Sequence, residues 1–261
     1  MTPEFAPKPR PRWLTTALGC ALLLVIIVFA VLRSAWGTQL DTFTIDESYH
    51  IVAGVSYVRN GDFRLNPEHP PLLKYWVGAW MPDSFKMRPF RLLNEKVEER
   101  DFTEAIIYAD NDPAAAQAVS RRAVWTFHAV LMLVFGLLIW RAAGLAWAAG
   151  TLAFLAIEPT VCAHLPVVMT DLPLALTLGI AAVAAGLAVS TWQWRWMMVL
   201  GLAVGLAVGS KHSALPGLLG LGAVCAIAEF ASRTGAANGV WRVRLFQLIF
   251  VAVLGYATVW A

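Results

Sequence analysis

The chain is poor in charge. Asp, Glu, Lys and Arg make up 14% of its residues, against about a quarter of an ordinary soluble domain. So few charges cannot keep a disordered chain extended or cover a globule in water. Cysteine is scarce as well: Cys20, Cys162 and Cys225 are the three, each inside an apolar stretch. That excludes a disulfide scaffold and leaves them as small buried hydrophobes. Basic residues form no run or patch. A net charge of +3 without clustering marks no nucleic-acid face. The chain is instead rich in apolar residues. AVILMFWYC residues are 59% of the 261, mean hydropathy is +0.63, and the apolar residues come in long runs, the composition of a polytopic membrane protein.

A spanning helix needs about 20 mostly apolar residues. Uncharged runs occupy 13–32, 124–140, 142–157, 172–194, 196–210, 213–228 and 245–261. We therefore expect an all-α polytopic fold with about seven transmembrane helices. A cytoplasmic tail at 1–12 leads into a first helix at 13–36, a large outer loop carries interfacial helices at 37–120, and a bundle of about six helices fills 121–261. With the N-terminus in the cytoplasm and each run crossing once, Lys8, Arg10, Arg12, Arg141, Arg195, Arg233, Arg242 and Arg244 share one side, as the positive-inside rule prefers. The loop then lies on the outer side of the membrane, with 8 basic and 13 acidic residues.

The first run exceeds a signal peptide's apolar core and no small-x-small cleavage site follows, so it reads as a signal anchor. Trp13, Trp36, Trp125, Trp140, Trp192, Trp194, Trp196 and Trp241 stand near the proposed helix ends as interface anchors. Gly201, Gly205 and Gly209 recur every fourth residue, a stripe that lets another helix approach closely.

The polar residues that remain are candidates for chemistry. Apolar positions 45, 49, 52, 55 and 58 describe one helical face, on an interfacial helix with Asp46 and Glu47 at its N-terminal end, where the helix dipole favours carboxylates. Asn60-Gly61 closes it as a turn. In Asn66-Pro67-Glu68-His69-Pro70-Pro71-Leu72-Leu73-Lys74 the prolines fix the backbone around Glu68 and His69, and a second interfacial helix holds His69 and Lys74 at headgroup level, facing Asp46. Residues 95–112 are expected as a solvated helix or lid. Arg121 and Arg122 either snorkel to headgroups or bind a lipid phosphate. Charges close to apolar spans are functional candidates by default. Asp171 with His164, and Lys211 with His212, fall at the outer helix ends on the side of Asp46. Glu158, just before Pro159, either joins them or ends its span, and His128 reads as a hydrogen-bonded core residue.

An Asp-Glu pair after the first span, the Asn66 to Lys74 segment, the step Thr170-Asp171-Leu172-Pro173 and the glycine stripe leading to Ser210-Lys211 follow one another in this order. The combination resembles glycosyltransferase family 39, the protein O-mannosyltransferase and bacterial lipid-carrier-dependent group of the C-type glycosyltransferase superfamily, over nearly the whole chain. The resemblance implies inverting transfer of a sugar from a polyprenyl-phosphate donor, with Asp46 as catalytic base, Glu47 as its neighbouring acid, and His69 to Leu72 with Lys74 as the family's His-Pro-Pro-Leu segment and trailing lysine.

The chemistry agrees with that mapping. A carboxylate within hydrogen-bond reach of an acceptor hydroxyl can take its proton, and cations stabilise the departing phosphate in a partly dry site. Glu47, Glu68, His69, Lys74, Arg121, Arg122, Asp171, Lys211 and His212 are the candidate substrate-binding residues. The sequence requires no cofactor; a divalent cation held by Asp46, Glu47 and Asp171 stays open, though their spacing is no metal signature. The expected partners are the lipid-linked donor, the bilayer and a protein, lipid or glycan acceptor, with no nucleic acid. The alternative is a transporter or lipid-binding membrane protein, drawn from Asp171, Lys211 and the glycine stripe. Members of the family run well beyond a seventh span, so a chain stopping at Trp260-Ala261 reads as truncated, without the remainder of the family domain.

Overall fold

A computed structural model describes residues 12–91, 93, 95–232 and 240–260. The expected tail with Lys8 and Arg10, and Arg233 of an expected inner loop, lie outside the described residues. Every regular element among the described residues is helical. In chain order they are α1 (Arg12–Gly37), α2 (Glu47–Asn60), α3 (Leu72–Trp80), α4 (Lys96–Ala105) running into a π turn (Ile106–Asp110), α5 (Pro113–Ala143), α6 (Leu145–Ile157), α7 (Pro159–His164), α8 (Asp171–Thr191), α9 (Trp194–Ser210), α10 (Ala214–Ser232) and α11 (Val240–Trp260).

Local chemistry sets several boundaries. The Asp112 side chain accepts from Ala114 N (2.9 Å) and Ala115 N (3.3 Å) with Pro113 behind it, a capped helix start with proline where its missing N–H costs nothing. Helix α5 therefore begins inside the expected loop. At the end of α2, Gly61 takes φ 61°; its N–H reaches Tyr57 O (3.1 Å) and that of Asp62 reaches Ser56 O (3.4 Å). This is the paired closure that a left-handed glycine permits.

Seven apolar helices among the described residues overlap the seven expected spans, but their lengths divide them. Leu14–Gly37, Pro113–Ala143, Asp171–Thr191 and Trp241–Trp260 are long and apolar enough to cross a membrane, whereas Leu145–Ile157, Trp194–Ser210 and Ala214–Ile227 are shorter. At about 1.5 Å per residue the shorter ones fall below the roughly 30 Å hydrocarbon thickness. Helix α9 packs on α8 and α11, α5 packs on α6 and α8, and α1 packs on α6. The glycine stripe serves these contacts: a Cβ at Gly201 would meet Leu254, and one at Gly205 would meet Thr258 and Gly255 O.

Helices α2, α3 and α4 form a layer at one end of this bundle, and here the structure departs from expectation. Helix α2 does not lie on a surface by one apolar face, since every residue from Glu47 to Tyr57 is buried. Gly54 and Gly78 let α2 and α3 cross backbone to backbone; a Cβ on Gly54 would fall on Lys74 O, and one on Gly78 on Gly54 O. On another side Ser48 Oγ lies 3.3 Å from Thr103 Oγ1 of α4. The segment 95–112 is likewise more than a solvated lid, because Phe102, Thr103, Ile106 and Ile107 are buried beneath its charged face.

Candidate active site

Asp46 and Glu47 are neighbours in sequence and opposites in setting. Asp46 immediately precedes α2, its side chain makes no capping bond, and among the described residues its exposed carboxylate has no hydrogen bond or ion pair. Glu47 is 1% exposed. One of its oxygens accepts from Val168 N (3.1 Å) and the other from Thr44 N (2.6 Å). Burial pushes its carboxyl up from the ordinary range, while the two backbone donors and the Arg121 charge pull it down. Glu47 thus ties the start of α2 to the 165–170 segment and leaves Asp46 facing outward.

Arg121, 8% exposed, donates to Thr38 O (2.8 Å) and Asp41 O (2.9 Å), binding α5 to the chain that leaves α1. Arg122 is exposed.

The 66–74 segment is organised from beneath by Lys74, which is 0% exposed. Its ammonium donates to Tyr57 Oη (3.1 Å), His69 O (2.8 Å) and Asn66 O. All three acceptors are neutral, and burial pulls the ammonium down to about 7. Tyr57 Oη in turn donates to Leu65 O (2.6 Å). Asn66 holds the bend at φ 49°, with its N–H on Glu99 Oε1 (2.5 Å). Glu68 is paired with Lys96, which also meets Glu99 Oε2 (2.8 Å). Lys74 therefore does not stand at a headgroup level open to water; it fixes the turn that carries Glu68 and His69.

The half-buried His69 ring lies 5.3 Å, centroid to centroid, from that of His50. His50 is 3% exposed and its Nδ1 is buried without a partner. Burial, then the charges of Lys74, His69, Lys96 and Lys211, pull its imidazole down to about 3, so it is neutral at physiological pH. Burial and Lys74 also lower His69. Sequence reasoning passed over His50, although one signal was available: it stands four residues after Asp46, one turn along the same helix face.

Asp171 opens α8 and Lys211 follows α9, and the two form an ion pair at 2.6 Å. Gly209 faces Leu72 at the start of α3, so this pair sits beside the layer, close enough for the Lys211 charge to act on both imidazoles. His212 is exposed next to it. Three further polar residues do local work. Glu158 ends α6 and caps α7, accepting from Val161 N at 2.6 Å. His164 bonds Thr160 O (2.8 Å). His128, in the core as expected, bonds Leu165 O at 2.9 Å. No group of three or more His, Cys, Asp or Glu is placed to hold a metal ion among the described residues. A cavity of about 310 Å³ opens elsewhere, at Met81, Phe85, Lys86, Asn111 and Val119, and no candidate site residue lines it.

Described residues that are helical in every regular element, with apolar helices of membrane length and a free carboxylate, an imidazole pair and an ion pair in and beside one layer, have the design of a membrane-embedded enzyme. The chain matches the family model for dolichyl-phosphate-mannose-protein mannosyltransferases over residues 21–261 and belongs to that family of membrane glycosyltransferases. No single curated protein matches it significantly.

Proposed function

We propose that the protein is an inverting glycosyltransferase that moves a sugar from a polyprenyl-phosphate donor to a hydroxyl acceptor at the outer face of a bacterial inner membrane. The observation that carries this reading is the division of labour between Asp46 and Glu47. Asp46 alone of the two is exposed, with a carboxylate that no described residue engages. In the reaction, an Asp46 carboxylate oxygen takes the acceptor's hydroxyl proton while the acceptor's own oxygen bonds to the sugar C1. The C1–O bond to phosphate breaks on the opposite face, and the polyprenyl phosphate leaves with the bonding electrons. Lys211 and His69, with His212 and Arg122 at the rim, are suited to receive that negative charge. Glu47, Lys74 and Arg121 act as positioning residues, and Glu68 acts by holding Lys96.

The family's name supports a lipid-phosphate-linked sugar as donor and a protein as acceptor; lipid and glycan acceptors present the same hydroxyl. This chemistry requires no cofactor, because the base acts directly. The N-terminus lies in the cytoplasm and the α2–α4 layer in the periplasm, and the three shorter apolar helices complete a seven-helix bundle. The gathering of polar groups at helix ends, away from the midplane where transporters place their sites, favours an enzyme over a transporter or a lipid-binding protein. The test is sugar transfer from a polyprenyl-phosphate donor by membranes carrying the wild-type chain or Asp46→Asn. Loss of transfer at equal expression supports the base; undiminished turnover rejects it.

A further inference from the structure

We propose that His50 is a further donor-contact residue: together with His69 it offers a neutral imidazole N–H to the phosphate of the lipid donor, on a turn that Lys74 fixes from below. The inference rests on the lipid-phosphate reading above.

Three observations lead to it. The first is placement. His50 follows Asp46 by one turn of α2, about 6 Å along the helix, and the His50 N–H bonds Asp46 O (3.3 Å). In an in-line displacement the sugar lies between base and leaving group, so a group one turn from the base on the same helix is set for the phosphate side. The second is the orphan atom. A buried polar atom without a partner is rare in a folded protein, and His50 Nδ1 is one, beside the accessible ring of His69.

The third is the charge balance. Lys96 is matched by Glu68 and Glu99, and Lys211 by Asp171, but Lys74 has only neutral acceptors. Three lysines and three carboxylates balance in this corner, and burial, with the Lys74 charge next, keeps both imidazoles uncharged. Each neutral ring then contributes a hydrogen bond where bulk water is scarce, and such bonds to a charged acceptor are stronger than neutral ones.

The test measures binding of undecaprenyl phosphate to the full chain in lipid nanodiscs, for wild type, His50→Phe, His50→Gln and His69→Phe. Undecaprenol, which lacks the phosphate, is the parallel probe. His50→Phe and His69→Phe are expected to weaken undecaprenyl phosphate binding about tenfold each, the loss of one charged hydrogen bond, with undecaprenol binding unchanged. His50→Gln, whose amide N–H can still donate, recovers part of the loss.

Unchanged undecaprenyl phosphate binding by His50→Phe overturns the proposal, as does an equal fall for both lipids, which marks a purely structural role. Melting temperatures are read alongside, and if His50→Phe melts early, His69→Phe carries the same comparison. Discs with and without phosphatidylglycerol separate the donor from a bulk headgroup; a His50-dependent response to phosphatidylglycerol alone overturns the assignment to the donor. Because binding is measured without sugar transfer, retained transfer by Asp46→Asn would strike the base assignment and leave this result standing.

Discussion

The Lys211 ammonium lies 2.6 Å from the Asp171 carboxylate, joining the end of α9 to the beginning of α8 at the margin of the layer that holds His50 and His69. Both partners are part-exposed, so the pair is worth no more than about 1 kcal/mol to the fold. A double-mutant cycle with Lys211→Met and Asp171→Asn, followed by thermal unfolding in detergent, is expected to give a coupling energy below that figure. In initial-rate assays Lys211→Met is expected to raise the apparent KM for the lipid donor.

Asp46→Asn and Glu47→Gln are expected to fail in different ways. Asp46→Asn removes a carboxylate that bonds nothing among the described residues; its melting temperature stays at the wild-type value while transfer falls by roughly 10²–10⁴-fold, the usual contribution of a general base. Glu47→Gln loses one of two backbone acceptors at a buried site, at a cost of about 1–3 kcal/mol in stability. It keeps transfer per folded molecule. Melting curves paired with active-site-normalised rates distinguish the two.

The α2–α3 crossing is intolerant of added atoms. Gly54→Ala or Gly78→Ala drives a methyl group into the opposing backbone, and overpacking of this kind costs about 1–3 kcal/mol. Gly209→Ala is the matched control, since its nearest neighbour, Leu72 Cβ, would stand at an ordinary 3.6 Å. Limited proteolysis of the 61–71 connection is expected to accelerate in the first two variants and not in the third.

Stability is expected to rise with pH through two windows. His50 is lowered from 6.5 to about 3 and Lys74 from 10.5 to about 7, so in both cases the unfolded chain binds more protons than the folded one. Acidification from 6.5 towards 3 therefore costs stability through His50, and raising the pH from 7 towards 10.5 relieves the penalty of burying the Lys74 ammonium. Unfolding midpoints across these windows should show both slopes, with His50→Gln flattening the acid one and Lys74→Met the alkaline one. A slope unchanged in its variant assigns that titration elsewhere.

Much of the architecture was legible in the residues because it is written in short-range terms. Apolar runs located the long helices, Asn60-Gly61 marked the end of α2, and Pro70-Pro71 preceded α3. The glycine stripe announced a close helix approach, which α11 supplies. The candidate site was legible only as residue types in order. Asp46, His69, Asp171 and Lys211 were picked out by charge near apolar runs, but nothing in the spacing said that Asp171 would close on Lys211, or that Lys74 would be sealed beneath the turn. His50 escaped notice because its neighbours in space, apart from Asp46, lie on other segments.

Composition and periodicity by themselves determined a helical membrane protein with its acid concentrated between the first and second long apolar helices, because hydrophobic pattern records how much surface must leave water. They do not record what covers it. Only the tertiary structure decided that α2 is enclosed on all sides, that Glu47 braces the fold while Asp46 stays free, and that four of the apolar helices have membrane length. The physical reason is that these outcomes depend on backbone groups from distant segments. Val168 N, Asn66 O, Thr38 O and Asp41 O hold the key side chains, and such N–H and C=O groups look alike along the chain until folding brings particular ones within reach.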